Sequence, residues 1–168
     1  MARKKKSPKD GFNVKGFFRI TIDEAGKIVG DSGMFPNTVG NLGLEQYAAY
    51  LIGASAGSKQ LSYFALGSGG SMATDGTATP SEVLQASKRA SISAKSFSSR
   101  TVSNGSATLW LYGQFNSTDS FVNNSFNISN IGIGNSISGG TLFCAQTYAS
   151  SQVSTNQHVN VTYQIQIG

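Results

Sequence analysis

Residues 159–167, Val159-Asn160-Val161-Thr162-Tyr163-Gln164-Ile165-Gln166-Ile167, alternate apolar and polar side chains without a fault. A period of two places Val159, Val161, Tyr163, Ile165 and Ile167 on one face of a β-strand and Asn160, Thr162, Gln164 and Gln166 on the other. One face is fit for a core; the other carries amides and a hydroxyl. Antiparallel sheets with one covered face give this pattern, whereas strands buried inside a parallel α/β sheet are apolar on both sides. The expected fold is therefore mainly β: an antiparallel β-sandwich, jelly-roll-like, with one or two short helices and an extended N-terminal arm.

Working back toward the N terminus, strand-like runs at 88–97, 106–115, 125–133 and 141–149 precede the final run at 157–167. They are parted by Asn104-Gly105, a polar stretch around Asp119, Gly139-Gly140 and residues 150–156, the turn-rich spacing of a sandwich or barrel. Gln60 to Leu66 reads as another strand. Phe18, Ile20 and Ile22 alternate against Phe17, Arg19 and Thr21, and Asp23-Glu24-Ala25-Gly26 supplies turn chemistry before Lys27-Ile28-Val29, which predicts a hairpin. Two segments carry helical marks. Leu44, Tyr47, Ala48, Leu51 and Ile52 recur at helical spacing, and Thr79-Pro80-Ser81-Glu82 has the form of a capping box with a turn or two following, to about Ser87.

At 168 residues the chain suits a single domain, divided here into a basic arm at 1–15 and a β domain at 16–168. Only 12% of residues are charged, yet 39% hydrophobic content argues against global disorder. The net charge of +5 and pI of about 9.4 are unevenly placed. Arg3, Lys4, Lys5, Lys6 and Lys9 crowd the start, while beyond Arg100 there is no lysine or arginine and Asp119 is the sole carboxylate. Such an arm suits a solvated tail, a nucleic-acid contact through counterion release, or an anchor on an acidic protein surface. The anchor is the preferred reading, and nucleic acid is the less favoured partner. The single cysteine, Cys144, excludes an intramolecular disulfide, and no apolar run approaches the roughly 20 residues of a membrane span. No apolar stretch follows the N-terminal lysines, so no secretory signal is expected.

Catalytic constellations are hard to assemble from these residues, and no enzyme is expected. Gly30-Asp31-Ser32-Gly33 echoes the nucleophile loop of trypsin-like proteases, but Met34 stands where a further glycine belongs and the only histidine, His158, follows the serine. A tight turn with an Asx interaction is the preferred reading. One histidine and one cysteine make no metal site, and the carboxylates past residue 45, Asp75, Glu82 and Asp119, are too scattered for an acid and base pair. No cofactor is expected. His158 reads as an exposed polar residue and Cys144, beside Leu142 and Phe143, as a small core residue. The glycine loop at 67–70 lacks the ending of a phosphate-binding loop, and the Asn-x-Ser/Thr triplets at Asn104, Asn116 and Asn127 reflect composition. Trp110 and Tyr112 share one face of a strand whose other face carries Leu109, Leu111 and Phe115. They are candidates for stacking on sugars or bases, although covering of both faces is the preferred expectation.

Across residues 60–168 several pieces stand in a telling order. They are Tyr63-Phe64-Ala65-Leu66-Gly67-Ser68-Gly69 with the Thr/Ala/Pro stretch to Leu84, then Ile131-Gly132-Ile133, Gly139-Gly140-Thr141-Leu142-Phe143, and the closing Val161 to Ile167. In this the chain resembles a diffuse family of tailed-bacteriophage virion proteins, β-sandwiches found as head decoration, fibre or tail components. It departs at Ser129-Asn130-Ile131-Gly132-Ile133, where members often carry a Glu-Ala-Gly-Leu-Phe type segment, so no role resting on that glutamate transfers. The resemblance implies a virion protein made in a bacterial cytoplasm, most simply a capsid decoration or cement protein that binds the major capsid protein as a homo-oligomer, with no membrane partner. The partner-binding residues expected are Arg3, Lys4, Lys5, Lys6, Lys9, Trp110 and Tyr112. The alternatives are a tail, head-tail adaptor or fibre component touching other tail proteins or host glycans, and a free carbohydrate- or nucleic-acid-binding module.

Overall fold

The alternation at 159–167 is realised in β9 (Gln157–Ile167), whose apolar positions Val159, Val161, Tyr163 and Ile165 are all buried. The computed structural model describes residues 13–39, 43–45, 47, 60–68, 89–101, 106–117, 126–137, 140 and 142–168. Among them lie eight further strands: β1 (Val14–Glu24), β2 (Lys27–Asp31), β3 (Phe35–Val39), β4 (Tyr63–Gly67), β5 (Ala90–Thr101), β6 (Ser106–Phe115), β7 (Phe126–Gly134) and β8 (Leu142–Val153). The antiparallel, mainly β architecture expected is present. β1 takes in Val14 and Lys15, the last two residues assigned to the arm. Residues 43–45 and 47 are helical; the rest of the first expected helix, all of the second, and the arm's Arg3, Lys4, Lys5, Lys6 and Lys9 lie outside the described residues.

Every strand pairing is antiparallel, and followed from neighbour to neighbour the ladder runs β1, β3, β8, β7, β4, β5, β6, β9 and back to β1. The sheet is thus curled on itself, with β2 on the same edge of β1 as β3, farther along. Two strands turn the corners. β3 pairs β1 through Phe35–Asn37 and β8 through Thr38 and Val39, while β5 pairs β4 at Ala90 and Ser91 and β6 from Ile92 onward, with a register shift between Ile92 and Ala94. A bulge bends a strand and raises its twist, which is how one strand serves two halves of a sheet.

The first hairpin forms as expected, with its loop at Ala25-Gly26. Both have positive φ, 49° and 78°, the pair that a two-residue turn of the right twist demands. On β2 the register passes from Ile22↔Gly30 to Asp23↔Ile28, leaving Val29 as an extra residue. That bulge explains why Ile28 and Val29 are both exposed, at 63% and 56%, where a regular strand would bury one of them. It also disrupts an edge that would otherwise invite pairing with another chain.

One core joins the two halves. Phe18 of β1 is fully buried, with ring centroids 4.5 Å from Tyr163, 6.2 Å from Phe35 and 6.5 Å from Phe64. Ile128, Ile131, Ile133, Val153, Val159 and Val161 complete the same cluster.

Candidate interaction face

With the apolar side of β9 turned inward, its polar side occupies the outer surface of the strip β6–β9–β1. The ladders align this surface into rows. Trp110 stands opposite Gln164, and Gln164 opposite Phe17; Tyr112 stands opposite Thr162, and Thr162 opposite Arg19; Gln114 stands opposite Asn160, and Asn160 opposite Thr21. Strand spacing of about 4.8 Å puts Trp110 and Phe17 about 10 Å apart with an amide between them. Tyr112 is 37% exposed, and Trp110 and Phe17 are half-buried. Leu111 and Phe115 face the core as expected. The aromatic pair therefore looks outward from the sheet.

The polar groups of this surface hold one another in place. Gln114 Nε2 donates to Asn160 Oδ1 at 2.7 Å, and Asn160 Nδ2 donates to Asp23 Oδ2 at 2.8 Å. At the end of the strip Gln157 Nε2 donates to Glu24 Oε2 at 2.9 Å, and Asn156 Nδ2 to Glu24 Oε1 at 2.5 Å. Side chains hydrogen-bonded across three strands lose little further freedom if a partner settles on them. Phe17, Gln164 and this amide chain were missed as site residues in the sequence. Their only signal was the polar phase of an alternation whose apolar phase drew the attention.

The tight turn expected over Gly30–Gly33 is corrected in part: Gly30 and Asp31 end β2, opposite Ile22 and Thr21, and the expected Asx interaction follows them. Gly33 N–H donates to Asp31 Oδ1 at 2.9 Å, an Asx turn, and Gly33 has φ 65°. Ser32 serves the backbone: its Oγ accepts from Ile20 N–H at 2.9 Å and donates to the Gly33 carbonyl at 2.8 Å. Asp31 also pairs with Arg19, whose Nη2 lies 2.6 Å from Oδ2 and whose Nε lies 3.0 Å from Oδ1. The Arg19 hydrogen bond, and after it the Gly33 amide, hold the Asp31 carboxyl down at about 2 from an ordinary 3.8. A depressed carboxyl favours the fold above its unfolded value, and that contribution disappears as pH falls through the folded value. We therefore expect the Asp31 carboxyl resonance to titrate near pH 2, and in Arg19→Ala to move only part of the way back toward 3.8, because the Gly33 amide remains.

His158 is half-buried, and its Nδ1 accepts from Ser117 N–H at 3.3 Å. Cys144 is a core residue, 2% exposed, whose thiol donates to Tyr163 Oη at 3.2 Å; burial pushes its pKa up to about 12. A thiol so held is a poor nucleophile. Among the described residues no three His, Cys, Asp or Glu side chains gather to hold a metal ion, and no helix is long and apolar enough to cross a membrane.

No family model, no curated protein and no solved structure matches the chain.

Proposed function

We propose that this protein is a structural component of a bacteriophage virion, a decoration or cement protein that docks on the major capsid protein and ties neighbouring subunits together. The observation that carries this reading is the outer face of β6–β9–β1. It is pre-ordered by the hydrogen-bond chain Gln114–Asn160–Asp23 and set with Phe17, Trp110 and Tyr112. Aromatic anchors among hydrogen-bonded amides bury apolar area, and a symmetric shell repeats that gain at every equivalent site. The basic arm supplies a second, electrostatic attachment.

The aromatic row also favours a second reading, a tail or fibre component whose Trp110, Tyr112 and Phe17 rest on host glycans, since flat rings two strands apart suit successive sugar faces. Counting labelled copies on purified particles separates the two. Hundreds per particle support the shell, and about a dozen or fewer the tail, as their symmetries require. Absence from particles, with salt-steep binding of the free protein to DNA, overturns both.

Anchors of this kind account for most of an interface's energy. Trp110→Ala with Tyr112→Ser should weaken attachment to particles about 30-fold or more, the loss of roughly 2 kcal/mol typical of a central aromatic. The thermal midpoint should fall far less than for a core change. Unaltered attachment would place the interface elsewhere.

A further inference from the structure

The curled sheet is fastened unevenly. β1 and β9 are laddered along their whole length, from Val14↔Ile167 to Glu24↔Gln157, whereas among the described residues β3 meets β8 at Thr38↔Ala145 and Val39↔Cys144. Continued along the same register, Phe35 comes opposite Tyr148. Their rings touch, with centroids 5.6 Å apart, but the backbones form no ladder there. The strands splay instead around a groove of about 480 Å³, with Ile20 and Ile22 on its floor, Ser32 and Phe35 on one wall, and Thr147 and Tyr148 on the other.

Polar atoms at this seam are poorly satisfied. Asn37 Nδ2 and Tyr148 Oη are buried with no hydrogen-bond partner, and Tyr163 Oη reaches Asn37 Oδ1 only at 3.4 Å. Such atoms favour any state that admits water to them. The other short seam, β4–β5, differs: Ile92 N–H donates to the Ser62 carbonyl at 2.8 Å and extends its ladder.

The far side of β3 pairs β1 from Gly16↔Asn37 to Phe18↔Phe35, and the end of β2 with the connection leading into β3 is tied to β1 as well. Ser32 N–H donates to the Ile20 carbonyl at 3.0 Å, Ser32 Oγ accepts from Ile20 N–H, and Arg19 grips Asp31. A break therefore falls on the β8 side. We propose that the β3–β8 seam opens as a local unit while the rest of the sheet stays folded, parting β8 from β3 and admitting water to Phe35, Tyr148 and Cys144. Low-stability openings of this sort come from lapsed ladders and unsatisfied groups; here the ladder lapses between Phe35 and Tyr148, and Asn37 Nδ2 and Tyr148 Oη lack partners. The inference is independent of what the protein attaches to.

Cys144 is the chain's only cysteine and sits on the seam, so it reports the opening. Its labelling by an aromatic disulfide reagent at pH 8 should proceed in the absence of denaturant, with a urea dependence well below that of global unfolding. Amide exchange at whichever of Ala145 and Gln146 points its N–H toward β3 should outrun that at Val161 and Tyr163, while the other, which points to β7, stays protected. In Tyr148→Phe, which removes the orphaned hydroxyl, labelling should slow about five-fold. Labelling whose urea dependence equals that of global unfolding, or equal rates in the two proteins, would overturn the proposal.

Discussion

Replacing Phe18 with alanine should lower the unfolding free energy by about 3–5 kcal/mol, the cost of removing a fully buried aromatic ring and leaving a cavity. The site has little freedom to collapse. Phe18 touches rings on three other strands, Phe35 of β3, Phe64 of β4 and Tyr163 of β9, and each is held by its own ladder. Urea denaturation should show the midpoint moving with little change in slope, the mark of lost stability rather than altered compactness. Phe17→Ala provides the contrast. That side chain is half-buried on the outer face, and its removal should cost about 1 kcal/mol or less. Equal losses at the two positions would mean that β1 does not sit in the register Phe18↔Tyr163.

Adding a single methyl group at Gly113 should cost about 1–3 kcal/mol, the range for overpacking a fitted interior. The position is on the inward phase of β6, between Leu111 and Phe115, where a side chain is the ordinary expectation. Here the space is taken: a Cβ would stand 2.6 Å from Phe64 Cδ2 and 3.0 Å from the Ser91 carbonyl oxygen. Phe64 is fully buried and packed on Phe18, and the carbonyl is backbone, so neither yields easily. The midpoint of Gly113→Ala in thermal unfolding, measured beside that of the parent, gives the answer. A midpoint at or above the parent's would show that β4 and β6 are not in this close approach.

How far the fold could be read from the residues varied with how regular each strand is. β9 was legible to the residue because both of its faces have one environment along their whole length, core on one and polar surface on the other. β6 was equally clear, spanning the 106–115 expected. β3 went unseen. Phe35-Pro36-Asn37-Thr38-Val39 carries a proline, follows the turn glycine Gly33, and serves two partners in turn, so no single alternation runs through it. β8 extends past the expected 149 to Val153, through Ser150, Ser151 and Gln152, whose polarity reads as loop. Of the site, Trp110 and Tyr112 were identifiable from residue type. Phe17 and Gln164 join them only through cross-strand register, which brings together residues far apart in the chain and is silent in a local pattern.

The pairing of β1 with β9 also decides how a load on the arm is borne. Asn13 and Gly168 exchange backbone hydrogen bonds of 3.0 Å in both directions, so the ladder is closed up to Asn13. Antiparallel hydrogen bonds lie across the strands. A pull on the arm directed along β1 therefore shears the bonds from Val14↔Ile167 to Glu24↔Gln157 together, instead of peeling them one by one. The chain's most regular strand pair is thus the one loaded by a pull on the residues that precede it.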